Sequence, residues 1–295
     1  PLTSTVLDGV RELLGSTAEV VFSVGAEIGD FTPDPEETHF PDGQPRPPVF
    51  TPAEADAVQL DAAAEAAQTA DAVIAVIGDT VALTGEGRST ATLELQGGQI
   101  ALLERLVAQD TPVIVVLISS KPLVLPAAVE RAAAVIHAGN PGMLGGTAIA
   151  ELLWGRIEPT GRLPISYAAH AGQLPVFYHQ VRGQHGHRYA DLSQRAPFAF
   201  GEGLSYTTVH YGTVELDHQT VSRDDVVTAR ITVTNSGNRP TVETVQAYVH
   251  DRVTSVTWAD RQLVAFRRVS IAPGESATVE FRVPVAECSI VDVAC

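Results

Sequence analysis

Residues 72–118 read AVIAVIGDTVALTGEGRSTATLELQGGQIALLERLVAQDTPVIVVLI, and this stretch decides the fold. Ala72–Ile77 and Pro112–Ile118 are unbroken apolar, β-branched runs, the pattern of strands covered on both faces. Between them, Gly98–Gln109 carries Ile100, Leu103 and Val107 at helical spacing. Strand, helix, strand at this spacing predicts a parallel crossover unit.

Working outward, the alternation continues. Ala127–Arg131 is a short helical piece, Ala133–His137 a third strand and Gly145–Trp154 a helix in which Leu152, Leu153 and Trp154 are expected in the core. Upstream, Leu7–Leu14 reads as a helix stopped by Gly15, and Glu19–Val24 (EVVFSV) as a short buried strand. Asp30–Pro52, rich in Pro, Asp and Glu, is expected to be a long surface loop. Thr51 is the expected N-cap of a helix with Pro52 in its first turn, running through an Ala-rich stretch to Thr69.

Near Tyr211 the period changes. Thr228–Thr234, Glu243–His250 and Ser276–Val283 alternate with period two, separated by turns at Asn235–Asn238 and Ala272–Glu275. That is the signature of a β-sandwich. The fold class is therefore α/β, a mainly parallel sheet with helices on both faces, followed by an all-β sandwich. The expected domains are 1–208 and 209–295, and Trp258 is expected to pack rather than stack on a ligand.

Composition narrows the function. Hydrophobic residues make up 45% and charged residues 18%, a globular balance. A net charge of −16 repels phosphate backbones, so nucleic acid is not an expected partner. No run approaches the ~20 apolar residues of a membrane span. Cys288 and Cys295 fit no zinc spacing and form no disulfide framework, and no cofactor or metal is expected. The start, Pro1-Leu2-Thr3, has neither an initiator Met nor a signal-peptide layout, which reads as a mature or truncated chain. A cytoplasmic location is expected, with secretion as the alternative.

Ligands of such sheets sit beyond the carboxyl ends of the strands. The loop after Ile77 is long, polar and Gly-bearing, and Glu86 stands between Gly85 and Gly87. A carboxyl there can reach away from the sheet, though an exposed Glu in a glycine turn is commonly only solvated. Asp79 is the nearest other carboxylate, and a capping role suits it as well as a direct one. Lys121 is expected to end a strand near the cleft. A second cluster, RGQHGHRYAD at 182–191, offers Gln184, His185, Arg188, Tyr189 and Asp191, the mixture of polar groups and ring faces that sugars need. The bland alternative there is a hydrogen-bonded connecting loop. Asn140–Gly146 is expected to be a structural turn opening a helix.

GDTVALTGEGRSTATLEL, QGGQIALLERL, TPVIVVLISSKPLVLP, HAGNPGMLGG, EPTGRLPIS, RGQHGHRYADL and FAFGEGLSYTTVHY, in this order, resemble glycoside hydrolase family 3. RITVTNSGNRPTVETVQAYV and RQLVAFRRVSIAPGESATVEF resemble that family's fibronectin type III-like tail. The resemblance implies the C-terminal part of a retaining, exo-acting β-glucosidase. Glu86 would be the general acid/base, and a nucleophilic Asp would come from an N-terminal (β/α)8 barrel of the same enzyme. Gln184, His185, Arg188 and Arg88 would contact a β-glucoside or oligosaccharide. Many relatives read GEG-x-Asp-Arg, whereas Ser89 and Thr90 stand here in place of the Asp and Arg. The alternatives are a non-catalytic sugar-binding or assembly module and a β-xylosidase or arabinosidase of the same family. The resemblance also implies further chain at both ends, low stability for this chain alone, inactivity without the barrel and, as an open alternative, a homo-oligomer.

Overall fold

The computed structural model describes residues 3–85, 87–181 and 189–290, which form two compact units, Pro1–Leu153 with Ala169–Gly172 and Trp154–Ala168 with Gln173–Cys295. The first unit is built on strands β3 (Val73–Gly78), β4 (Val113–Ile118) and β5 (Ala134–His137), parallel and side by side in that order. Two further strands, β1 (Gly29–Thr32) and β2 (Val49–Pro52), form a separate antiparallel hairpin.

Helices cover both faces of the parallel sheet. Val6 and Val10 of α1 (Val6–Leu14) and Ile149 and Ala150 of α4 (Gly145–Leu153) bury against Ile74, Val116, Ile118 and Ile136. The opposite face presents buried Ala75, Ile77, Val113, Val115 and Leu117. On that side α3 (Gln99–Val107) packs on β3 and on α2 (Ala57–Gln68). The face of α3 that buries is Leu102, Leu103, Leu106 and Val107, with Ile100 only half-buried.

The start of α1 explains itself locally. Thr5 Oγ1 accepts from Asp8 N (3.1 Å) while Asp8 Oδ2 accepts from Thr5 N (3.1 Å), a reciprocal capping box. Gly15 ends the helix at φ +54°. Gly9 and Gly146 allow α1 and α4 to cross in backbone contact. A Cβ on Gly9 would collide with the Gly146 carbonyl, and one on Gly146 with the Thr5 carbonyl.

Four expectations are corrected. Glu19–Val24 pairs with no other strand among the described residues. Val20 tucks under the α1/α4 core, but Val21, Phe22 and Val24 are largely exposed, since the run forms no strand pairing that would cover them. Asp30–Pro52 is a paired hairpin excursion, not a featureless loop: Asp30 pairs with Thr51 and Phe31 with Phe50. Its tip closes on Arg46, which ion-pairs with Glu37 and lies over the Phe40 ring. Pairing in β2 takes Thr51 and Pro52 away from α2, whose N-cap is Asp56, with Oδ1 accepting from Val58 N at 2.8 Å. Trp154, expected in the core, stands one residue past the end of α4 and is 42% exposed.

The second unit is antiparallel. β8 (Val226–Asn235) lies between β11 (Ser276–Pro284) and β6 (Val209–Tyr211), with β7 (Glu215–Leu216) also on β8, while β9 (Thr241–Val249) pairs β10 (Gln262–Ile271). Inward residues of the two sheets, Val233, Val279, Phe281 and Val283 against Val245 and Ile271, make one core, as a β-sandwich requires. Fully buried Asn235 ties its turn down. Its Oδ1 accepts from Thr207 Oγ1 (2.7 Å) and Gly237 N (3.1 Å), and its Nδ2 donates to the carbonyls of Arg239 (2.7 Å) and Ile271 (3.1 Å). Trp258 is 36% exposed.

Candidate active site

The carboxyl ends of β3, β4 and β5 lie side by side, with Gly78 opposite Ile118 and Leu117 opposite His137. Three loops leave this edge, and side chains bind them to each other. Lys121 Nζ of the second loop stands 3.0 Å from Asp79 Oδ2 at the root of the first. Ser120 Oγ donates to Asn140 Oδ1 of the third at 2.9 Å.

The first loop is the one that bears Glu86. Gly78 adopts φ +143°, and a Cβ there would collide with the Ile118 carbonyl. Buried Gln99, at the first turn of α3, reads both backbone groups of Gly78: its Oε1 accepts from Gly78 N (2.7 Å) and its Nε2 donates to Gly78 O (2.9 Å). Asp79 Oδ1 accepts from Thr80 N at 2.9 Å, and its side chain is only 4% exposed. Asp79 is thus consumed by the fold, the capping alternative raised above.

Lys121 Nζ also donates to Leu83 O (3.1 Å) and Thr90 Oγ1 (3.0 Å). One ammonium therefore holds the incoming and outgoing legs of the loop together. Farther along, Val124 N donates to Leu93 O (2.8 Å), beside an isolated parallel bridge between Glu94 and Val124 that joins the first two loops again.

Between the pinned legs, Gly85 (φ +111°) and Gly87 (φ +70°) both occupy backbone regions that a side chain disfavours. Glu86 lies outside the described residues, as do Gln184, His185 and Arg188. Arg88 is described: it is exposed, its backbone N–H donates to Gly85 O (3.2 Å), and it lines a cavity of about 500 Å³. Phe31, Phe50 and Pro52 of the β1–β2 hairpin form the facing wall. The two phenyl rings sit 5.1 Å apart at 42°. Hairpin and loop meet closely, since a Cβ on Gly87 would come within 3.3 Å of the Pro47 ring. Sequence reasoning missed this wall because Asp30–Pro52 lacks any hydrophobic period.

The N-terminus of α4 is filled by protein. Ser4 Oγ accepts from Thr147 N (3.2 Å) and Ser4 O from Gly146 N (3.3 Å). The Asn140–Gly146 turn thus serves close packing, as expected.

In the second unit, a smaller cavity of about 350 Å³ borders an ion pair between Arg162 Nη2 and Glu243 Oε2 at 2.8 Å. Tyr211 OH donates to Glu243 Oε1 at 2.7 Å. Burial first, and the carboxylate second, push the Tyr211 phenol well above its usual range. This cluster braces the sandwich. Among the described residues no group of three or more His, Cys, Asp or Glu side chains could hold a metal ion, and no helix is long and apolar enough to cross a membrane.

Comparison with known proteins places this geometry. Residues 1–206 match the glycosyl hydrolase family 3 C-terminal domain and residues 243–295 a fibronectin type III-like domain. A periplasmic beta-glucosidase of Salmonella typhimurium is 32% identical over 95% of this chain, and a beta-xylosidase of Formosa agariphila 32% over 99%. A solved beta-glucosidase involved in saponin metabolism, from intestinal bacteria, superposes with a TM-score of 0.91 at 50% identity over 98% of this chain. The chain spans 38% of the length of the two curated relatives and 41% of that structure. On the strength of the match to residues 1–206, the chain belongs to glycoside hydrolase family 3, as its C-terminal domain followed by a fibronectin type III-like domain.

Proposed function

We propose that this chain supplies the general acid/base, Glu86, of a retaining, exo-acting β-glucosidase. The nucleophilic Asp would come from a (β/α)8 barrel elsewhere in the native polypeptide. The observation that carries the reading is the loop between β3 and α3. It leaves the carboxyl edge of a parallel sheet, is pinned on both legs by Lys121, and frees its backbone at the two glycines flanking Glu86. A proton donor needs a supporting shell that fixes its loop, and the Lys121 contacts to both legs supply one.

In a retaining hydrolysis the acid protonates the leaving oxygen while the nucleophile attacks the anomeric carbon. The acid then becomes the base that activates water. The two carboxyls must lie about 5–5.5 Å apart, so the chain without its partner region should not turn over. The exposed Val21, Phe22 and Val24 support such a partner, since contiguous apolar side chains are stable once covered. Arg88, Gln184, His185 and Arg188 are proposed to contact the sugar. The periplasmic name of one relative supports an exported enzyme at least as well as a cytoplasmic one.

The experiment is hydrolysis of nitrophenyl β-glucoside by the native polypeptide that contains this chain. Glu86→Gln should lower kcat by about 10²–10⁴-fold, and full activity in that variant rules the reading out. A β-xylosidase is the second reading, favoured by the equal identity to the Formosa enzyme. A higher kcat/KM on nitrophenyl β-xyloside than on the glucoside would establish it.

A further inference from the structure

We propose that the cavity between the β1–β2 hairpin and the Glu86 loop is the leaving-group site, and that it selects an apolar, ring-built aglycone rather than a second sugar. The inference rests on the proposed role of Glu86. A general acid delivers its proton to the glycosidic oxygen, so whatever that oxygen carries must begin beside the acid. The cavity reaches Gly87, the next residue in the chain.

Its walls speak for the ligand class. Phe31, Phe50, Pro48 and Pro52 line the hairpin side, and Leu83 closes the base. Phe31 is 37% exposed, a large apolar ring left open at the cavity. A sugar presents hydroxyls around its whole rim and needs polar partners on several sides. Here the polar lining lies on the loop side alone, and part of it is already engaged. Thr90 Oγ1 accepts from Lys121 and donates to Thr92 O (2.7 Å), and Thr92 Oγ1 accepts from Glu94 N (3.1 Å). The slot is then apolar on the hairpin side, and its other side carries Ser89, Gln96, whose Nε2 donates to Glu94 O (2.9 Å), and one exposed cationic side chain, Arg88. A volume of about 500 Å³ falls in the usual range of sites that enclose a fused-ring ligand.

The hairpin lies outside the parallel sheet, joined to it by chain on either side. In this reading its contribution is to the choice of leaving group.

The test compares kcat/KM for naphthyl β-glucoside with kcat/KM for methyl β-glucoside, using the native polypeptide. Phe50→Ala should lower the ratio about tenfold, the worth of one ring contact. Ala91→Glu places a charge at an exposed rim position that the fold does not need, and it should lower the ratio at least as much even if Phe50→Ala does not fold. Glu86→Gln separates the two ideas. If it leaves hydrolysis of both substrates intact, the acid/base reading fails. If it abolishes both while Ala91→Glu and Phe50→Ala leave the ratio within twofold of wild type, the cavity is not the leaving-group site.

Discussion

Lys121 Nζ and Asp79 Oδ2 stand 3.0 Å apart, and the carboxylate of this pair is almost wholly buried while the ammonium is 21% exposed. Removing the cation strands a buried charge, which costs far more than removing the pair. Lys121→Met should cost about 3 kcal/mol in urea unfolding, and the double variant Asp79→Asn/Lys121→Met distinctly less. Because the same ammonium ties Leu83 to Thr90, kcat on nitrophenyl β-glucoside should fall with little change in KM, and Lys121→Arg should restore part of it.

Gln99 is a buried amide with both its groups spent on Gly78. Gln99→Leu keeps the size but leaves a donor and an acceptor unsatisfied at the root of the loop. The expected loss is about 2–4 kcal/mol, read as a shift in the urea midpoint at constant slope. Gly78→Ala should be worse tolerated, since its Cβ has no room against the Ile118 carbonyl.

The Arg162–Glu243–Tyr211 cluster predicts graded damage to the second unit. Arg162→Met isolates a buried carboxylate and should cost about 3 kcal/mol. Tyr211→Phe removes one hydrogen bond to that carboxylate and should cost about 1.5 kcal/mol. Urea titrations of both variants check the order.

Asp217 clips the end of β7 to β8: its Oδ1 accepts from Thr228 N at 2.9 Å, and its own N–H donates to Thr228 O at 3.1 Å. The bond from Thr228 N, with smaller help from the Thr228 and His218 side chains, draws its carboxyl down to about 2 from 3.8. The folded state thus binds fewer protons than the unfolded state between these values, so this contribution is complete above pH 3.8 and vanishes as pH falls through about 2. Asp217→Asn should lower the melting temperature at pH 7 and flatten its decline below pH 4. An unchanged acid limb would show that the clip does not couple to folding.

The parallel sheet was legible because β3, β4 and β5 are uninterrupted apolar, β-branched runs, and β4 at the centre is buried on both faces. Family motifs carried the loop and its glycines. What escaped has specific causes. Burial of EVVFSV was read from its apolar content, which does not say whether a neighbouring strand exists. The Pro-containing β2 hid a hairpin whose pairing depends on β1, twenty residues upstream. Thr51-Pro52 is a good helix opening in isolation, but strand pairing used it and Asp56 took over the cap. β10 was missed because Arg267 and Arg268 break the alternation of QLVAFRRVSI. Gln99 gave no signal at all: a glutamine in a first helical turn is ordinary until the strand end it faces is known.

The glycine crossing of α1 and α4 has a temporal consequence. Val6, Val10, Ile149 and Ala150 close one face of the sheet, yet the two helices stand almost the whole length of the first unit apart in sequence. During synthesis the earliest helix must wait, its apolar side bare, until the last one emerges from the ribosome. Val116 and its neighbours stay wet on that side for the same interval, so this face is open to non-native contacts until the last helix docks.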